Sequence, residues 1–359
     1  MHRGCVITVG ELGEFGVISR ITGRLSQSPA VLLGPGDDAA VLAAPDGRVV
    51  VTTDVLIEGR HFRRDWSSGY DIGRKSAAQN LADIAAMGAE PTSLVVGLGL
   101  PADTAIEWLD ALTDGFRDEC ALAGTGVAGG DIARSEIVMI GVTALGDLGG
   151  RPPVTRSGAR PGHIVAVAGR LGYAAAGLAL LRAGLASGAV PASEGVPGTG
   201  GVPGTGDAPG EGAGGSGGLP PGLVALVDAH RRPRPPYAQG PEAARLGATA
   251  MLDVSDGLLQ DLGHVAAAGG VGIRLDPAAL PIPEIFAEAA GVLGDEVDPL
   301  DWVLTGGDDH ALAAAFPPDV RLPPEWTPIG EVTDGEGVQV TGHPTTTTGT
   351  TGGWDHFRT

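Results

Sequence analysis

Five Asp-bearing clusters are spread over nearly the whole chain, each beside Gly, Ser, Thr or Asn: Gly36-Asp37-Asp38, Thr52-Thr53-Asp54, Asn80-Leu81-Ala82-Asp83, Gly129-Gly130-Asp131 and Asp253-Val254-Ser255-Asp256-Gly257. Hard carboxylate and hydroxyl oxygens in flexible turns are what several Mg²⁺ ions bound to a polyphosphate require. A fold that serves such ions points to nucleotide-dependent phosphoryl transfer.

The 359 residues, 43% of them hydrophobic, are enough for two domains, since single cores stop growing near about 250–300 residues. The formal charge of −20 argues against nonspecific attraction to nucleic acid or an anionic membrane. An acidic protein that handles phosphates must recruit cations. Two cysteines, Cys5 and Cys120, form no disulfide framework and stand in no metal-ligand spacing, which suits a reducing cytoplasm. The N-terminus lacks the apolar run of a signal peptide, and no stretch reaches the roughly 18 apolar residues of a membrane span.

Residues 187–222 are almost entirely Gly, Pro, Ala, Ser and Thr, a composition that buries too little surface to offset the entropy of ordering it. It reads as a disordered insertion inside the second domain, between helix-like segments at 173–186 and 223–230. A second low-complexity patch at 345–353 reads as another loose loop. In the first half, a strand over 48–53 leads to a loop, a helix over 71–87 closed by Gly88 as a left-handed cap, an apolar run over 93–100, a helix over 104–123 and a strand over 137–145. The Gly-rich 146–150 marks a domain boundary, dividing the chain into 1–147 and 148–359. Beyond it come a strand over 164–168, the helix at 173, a helix around 240–246, and a helix opened by the Asp253–Gly257 cluster and running through 268. Each half mixes α and β.

Asp beside Gly is ordinary turn chemistry, so one cluster proves little. Thr52-Thr53-Asp54 ends an apolar run, which places its oxygens where a buried strand gives way to a loop, a common ligand position. Asp83 falls mid-helix among Leu81, Ile84, Ala85, Ala86 and Met87. Buried and unpaired it would be costly, so it either binds a metal or faces solvent on a half-exposed helix. Asp256 suits an N-cap, whereas capping leaves Asp253, in a strand-like position, unexplained. Gly130-Asp131 reads either as a turn or as a close approach for phosphate. His61, with Arg60 beside it, and Arg156 are candidate phosphate ligands, or else surface residues. There is no G-x-x-x-x-G-K-[ST]. Gly124-Thr125-Gly126-Val127-Ala128-Gly129 matches a dinucleotide fingerprint by letter only, following a helix and leading to a strand.

In chain order, Gly34–Ala40, Thr52–Phe62, Asn80–Ala89, Gly129–Asp131, Arg156–Gly158, Asp253–Leu258, Thr305-Gly306-Gly307-Asp308-Asp309 and Trp354-Asp355-His356-Phe357 resemble the thiamine-monophosphate kinase family, part of the superfamily that includes aminoimidazole-ribotide synthetase. The resemblance runs from about residue 11 to 357. It implies an N-terminal α+β domain that pairs with a second subunit, and a C-terminal α/β domain. It also implies transfer from ATP to thiamine monophosphate. An acceptor that is already an anionic phosphate needs no side-chain base or phosphoenzyme. By resemblance, Asp38, Thr52, Thr53, Asp54, Asp83, Asp131, Asp253 and Asp256 would hold Mg²⁺. Gly130, Asp131, Arg156 and Ser255 would meet ATP, and His61, Asp308 and Trp354 the thiamine phosphate, with Trp354 suiting a cationic thiazolium ring. The family more often has Glu-Asp-Tyr where this chain has Asp308-Asp309-His310, so the carboxylate is one methylene shorter. The rival readings are aminoimidazole-ribotide synthetase, selenophosphate synthetase, which normally needs a reactive Cys in a Gly-rich loop, the hydrogenase-maturation relative, which needs a C-terminal Cys, and a noncatalytic nucleotide- or metal-binding scaffold.

Overall fold

The computed structural model describes residues 7–35, 39–186, 219–294 and 297–342, with the backbone of 346–347. Asp38, Trp354 and nearly all of the 187–222 insertion lie outside the described residues.

The first half begins with α1 (Val9–Thr22), opened by a reciprocal cap between Thr8 and Glu11, and a small ladder of β1 (Val31–Leu33) and β2 (Val41–Leu42). Next come β3 (Val50–Ile57), α2 (Gly69–Ala86), β4 (Glu90–Leu100), α3 (Ile106–Leu122), β5 (Val127–Arg134) and β6 (Met139–Asp147). These strands form one sheet in the order β3-β6-β4-β5, antiparallel except for β4 against β5. The helices expected at 71–87 and 104–123 appear as α2 and α3. Gly88 follows α2 with φ 73°, as its place after the last helical residue demands.

Two expectations are corrected. Thr52-Thr53-Asp54 does not mark a strand end: β3 runs on through Val55-Leu56-Ile57, because β6 pairs with it along its whole length. Gly130-Asp131 is not a turn but lies inside the edge strand β5.

The second half holds β7 (Ile164–Ala168), α4 (Tyr173–Arg182), α5 (Pro221–Arg231), α6 (Gln239–Leu246), β8 (Ala250–Val254), α7 (Leu258–Gly269), β9 (Gly272–Leu275), α8 (Glu284–Leu293), α9 (Pro299–Thr305), β10 (Ala311–Phe316), β11 (Trp326–Thr333), β12 (Gly337–Val340) and β13 (Thr346–Thr347). Its sheet has the order β13-β12-β9-β11-β7-β10-β8. Each sheet has its own core, the first built around Leu81, Leu109 and Ile140, the second around Val167, Leu252 and Phe286.

The helix α2 belongs to both halves. Most of its side chains are buried, and while Leu81 and Ile84 enter the first core, Ala85 and Ala86 pack with Ala166, Met251, Leu312 and Phe316 of the second sheet. Small residues allow the approach: a Cβ on Gly73 would strike the Leu112 carbonyl of α3, and one on Gly240 of α6 would strike the Ala85 carbonyl of α2. Tyr237, just before α6, donates a 2.6 Å hydrogen bond to Glu119 of α3, which also pairs with Arg74 of α2.

Gly73→Ala forces α2 and α3 apart and is expected to destabilise by about 1–3 kcal/mol. Gly263→Ala in α7, where an added Cβ meets nothing within 4 Å, is expected to be neutral or stabilising by up to about 1 kcal/mol. Urea unfolding of the two variants tests the contrast, and equal losses would contradict it.

Candidate active site

A cavity of about 1140 Å³ opens between the two halves. Its first wall comes from β3, the loop after it, and α2. Alternation along β3 sends Thr52 and Asp54 toward α2 and Thr53 to the other face. Thr52 Oγ1 donates to Asp83 Oδ2 at 2.7 Å, and Gln79 Nε2 donates to Asp54 Oδ2 at 3.0 Å. Fully buried Asn80 accepts from the Asp54 N–H and donates to the Ser76 carbonyl, so the strand and the helix hold one another in register. Thr53 instead donates to the Val142 carbonyl and accepts from Thr143 of β6. His61, in the loop after β3, accepts the Ile57 N–H at Nδ1, which leaves the proton of a neutral ring on Nε2.

The second wall is the loop from β8 into α7 together with residues 305–310. Asp256 does not cap α7, as the sequence suggested. The N-cap position is Gly257, with φ 125°, and the carboxylate of Asp261 reaches back to accept the N–H groups of Ser255, Asp256 and Gly257 at 3.0, 3.0 and 3.1 Å. Asp256 lines the cavity. Asp308 and His310 both adopt positive φ, 68° and 52°, a conformation that costs a non-glycine residue on the order of 1 kcal/mol. Main-chain bonds from Asp308 to the Ser255 carbonyl and from His310 to the Val254 carbonyl hold them there. Buried His310 pairs through Nδ1 with Asp253 at 2.9 Å, and Asp309 accepts the Ala174 N–H at the start of α4.

Negative charge dominates this junction. Burial, then the charges of Asp253 and Asp54, push Asp83 up to about 7 despite the hydrogen bond from Thr52. Burial likewise raises Asp261 to about 7, aided by Asp253 and Asp256, and Asp309 to about 7, aided by Asp308. For His310, burial opposes the charged ring, but the hydrogen bond and charge of Asp253, with Asp308 and Asp83, raise it overall.

Of the residues singled out by sequence, the cavity wall gathers Asp54, His61, Asp83, Asp253, Ser255, Asp256 and Asp308, and Thr52 adjoins it through Asp83. Thr53, Gly130, Asp131 and Arg156 do not line it; the last three are exposed. The wall also includes Lys75, Gln79, His230, His310 and the aromatic rings of Phe62, Trp66 and Trp302, none of which the sequence reading assigned to the site. Lys75 and Gln79 had a readable signal, since they precede Asp83 by eight and four residues and share its helical face. His230 had none.

The donor set fits a nucleotide-bound Mg²⁺. Among the described residues no three His, Cys, Asp or Glu side chains form a ready-made cage, yet carboxylates from both halves repel one another across the cavity. Mg²⁺ commonly takes one or two carboxylates and completes its shell with phosphates and water.

Comparison with known proteins fixes the class. Residues 36–148 match the family model described as AIR synthase related protein, N-terminal domain, and residues 160–343 match its C-terminal domain. Thiamine-monophosphate kinase of Mycobacterium tuberculosis is 45% identical over 98% of this chain and 93% of its own length. The crystal structure of thiamine-monophosphate kinase from Stenotrophomonas maltophilia is 34% identical with a TM-score of 0.74, covering 92% of this chain and 97% of its own. The structure of AaThiL complexed with AMPPCP and TMP is 30% identical with a TM-score of 0.72, covering 97% of this chain and 98% of its own. The chain belongs to the AIR synthase related proteins and, within them, to the thiamine-monophosphate kinase family.

With Asp83, Asp261 and Asp309 raised to about 7, the metal-free folded state holds more protons than the unfolded chain above the usual carboxylate range. Stability is then greatest below about pH 4 as far as these groups are concerned, and falls as pH rises through about 7. Asp83→Asn is expected to make that fall shallower in thermal melts recorded with a chelator; an unchanged slope would contradict the burial of charge at Asp83.

Proposed function

We propose that this cavity transfers the γ-phosphoryl group of ATP to the phosphate of thiamine monophosphate, yielding thiamine diphosphate and ADP by direct in-line displacement with the help of several Mg²⁺ ions. The observation that carries the reading is the convergence of Asp54 and Asp83 from one half with Asp253 and Asp256 from the other on a single cavity wall. Family membership gives the reaction class and its two substrates, in keeping with the AMPPCP and TMP of the related complex.

Asp54, Asp83, Asp253 and Asp256, with Thr52 steadying Asp83, are the residues that would hold the ions. Bound there, Mg²⁺ would neutralise the charge shared by the donor and acceptor phosphates. The chain itself does the aligning. Asp261 fixes the 255–257 loop, so that Ser255 and Asp256 meet the nucleotide without reorganisation. Gly130 and Asp131 on the edge strand β5, and Arg156, are exposed and open to a nucleotide that extends beyond the cavity. His61 and Asp308 serve the thiamine phosphate. Trp66 and Trp302 offer aromatic faces to its cationic ring, the part that the resemblance implied for Trp354. Because the acceptor is an anionic phosphate oxygen, no wall residue is required as a base.

The division of labour follows residues 1–147 for ion binding and dimer formation and 148–359 for the rest. A second copy of the chain is the partner we assign to the outer face of the first sheet, where strand register puts Val51, Val55, Val95 and Met139 together, each at least 36% exposed. Patches of this kind mark association sites. Val51→Lys with Val95→Lys is expected to shift the particle mass measured by light scattering from twice the chain mass to that of one chain. No helix among the described residues is long and apolar enough to cross a membrane; we assign the protein to the cytoplasm because the proposed reaction consumes ATP.

Mass spectrometry of thiamine monophosphate incubated with ATP and the protein is expected to show thiamine diphosphate only when Mg²⁺ is present. Asp83→Asn should lower turnover by at least about 100-fold, as loss of a ligand or of its support does at metal sites, while the variant keeps a cooperative melt. ATP binding without product would favour a scaffold.

A further inference from the structure

The cavity holds a cation that the transfer chemistry above does not use. Lys75 of α2 is buried, 4% exposed, and its Nζ lies 2.9 Å from Asp308 Oδ2 and 3.4 Å from the main-chain oxygen of His230. Both partners belong to the other half of the chain, so this one side chain ties α2 to the loop after α9 and to the end of α5. Burying an ammonium is costly unless it is paired, and here the pairing is directed: Asp308 is fixed at its main chain by Ser255 and at its carboxylate by Lys75, while its side chain stays 44% exposed.

His230 completes the group. It is 7% exposed, lines the same cavity, and its Nδ1 stands 3.9 Å from Asp308 Oδ2 with no hydrogen-bond partner among the described residues. Burial and the neighbouring Lys75 keep its ring neutral, near 3, and the Lys75 ammonium holds the Asp308 carboxyl well below its ordinary value in spite of burial. A fixed carboxylate acceptor beside an unsatisfied imidazole nitrogen is complementary to a flat heterocycle bearing an amino donor next to a ring nitrogen.

We propose that Lys75 is a positioning residue for the acceptor substrate: it holds the Asp308 carboxylate, which the family resemblance already gives to the acceptor, beside His230, and so sharpens the choice of aminopyrimidine-bearing phosphates over their oxygen-substituted analogues. The inference rests on the proposed function and names the element of that site which carries acceptor specificity. It also accounts for a short Asp at position 308, because a side chain with few rotamers, pinned by Lys75, leaves the acceptor little freedom to be misplaced.

The test is steady-state kinetics on the full-length protein with ATP and either thiamine monophosphate or the analogue whose pyrimidine amino group is replaced by oxygen. Lys75→Met is expected to raise the KM for thiamine monophosphate roughly tenfold or more, the loss typical of a charged hydrogen bond, to leave the KM for ATP within about twofold, and to bring the preference between the two acceptors close to one. Lys75→Arg keeps the charge and should recover most of the preference. The double variant Lys75→Met with Asp308→Asn should be no worse than the poorer single one, since both changes break one interaction. Should Lys75→Met fail to give a cooperative melt, Lys75→Gln must show the same KM split. Equal changes in both KM values, a preserved acceptor preference, or additive effects of Lys75→Met and Asp308→Asn would overturn the inference. Absence of turnover by the unaltered protein would instead overturn the functional reading on which it rests.

Discussion

A helix buried on nearly every side cannot carry polar groups unless each is answered, and α2 is such a helix. It lies between the two sheets and still bears Lys75, Gln79, Asn80 and Asp83. Asn80 is answered by β3 and by its own helix, Gln79 by Asp54, and Lys75 by Asp308. These bonds bring β3 and the second half of the chain to the same face of α2. Asp83 alone is answered incompletely, by one hydroxyl against two nearby carboxylates. Packing therefore leaves excess negative charge beside the cavity.

The rest of the wall is rigid for the same reason. Asp261 is desolvated, yet its three main-chain donors fix the loop that carries Ser255 and Asp256. The left-handed backbone at Asp308 and His310 is held by the two strand-end carbonyls of Val254 and Ser255. Strain of this kind persists where neighbouring structure over-determines it, and it clusters at functional sites. A reaction that needs alignment and charge neutralisation rather than a base is served by such preorganised parts.

Much of this was legible in the residues. The alternation of strand and helix, the cap at Gly88 and the choice of Asp83 and Asp253, both of which line the cavity, follow from local pattern, because apolar periodicity and turn chemistry are local properties. Long-range pairing was not. Nothing in Val49-Val50-Val51-Thr52-Thr53-Asp54 says that the strand continues and turns Thr53 away, since that depends on β6 as its neighbour. The N-cap expectation at Asp256 failed because α7 starts one residue later than the cluster suggests, with Gly257 at φ 125° in the N-cap position. His230 enters the cavity by virtue of how α5 packs against α4 and α2, and no motif marks it. Lys75 was visible in principle, on the helical face of Asp83, but only burial shows that its charge is enclosed.

We propose that carboxylates brought together from both halves of the chain hold the metal ions that accompany the nucleotide. Crystals grown with Mn²⁺ and a nonhydrolysable ATP analogue, measured at the manganese absorption edge, test it directly. Anomalous peaks bridging Asp83 or Asp54 to Asp253 or Asp256, next to the analogue's phosphates, are the predicted result. Nucleotide bound with no metal peak at these four carboxylates would contradict the account.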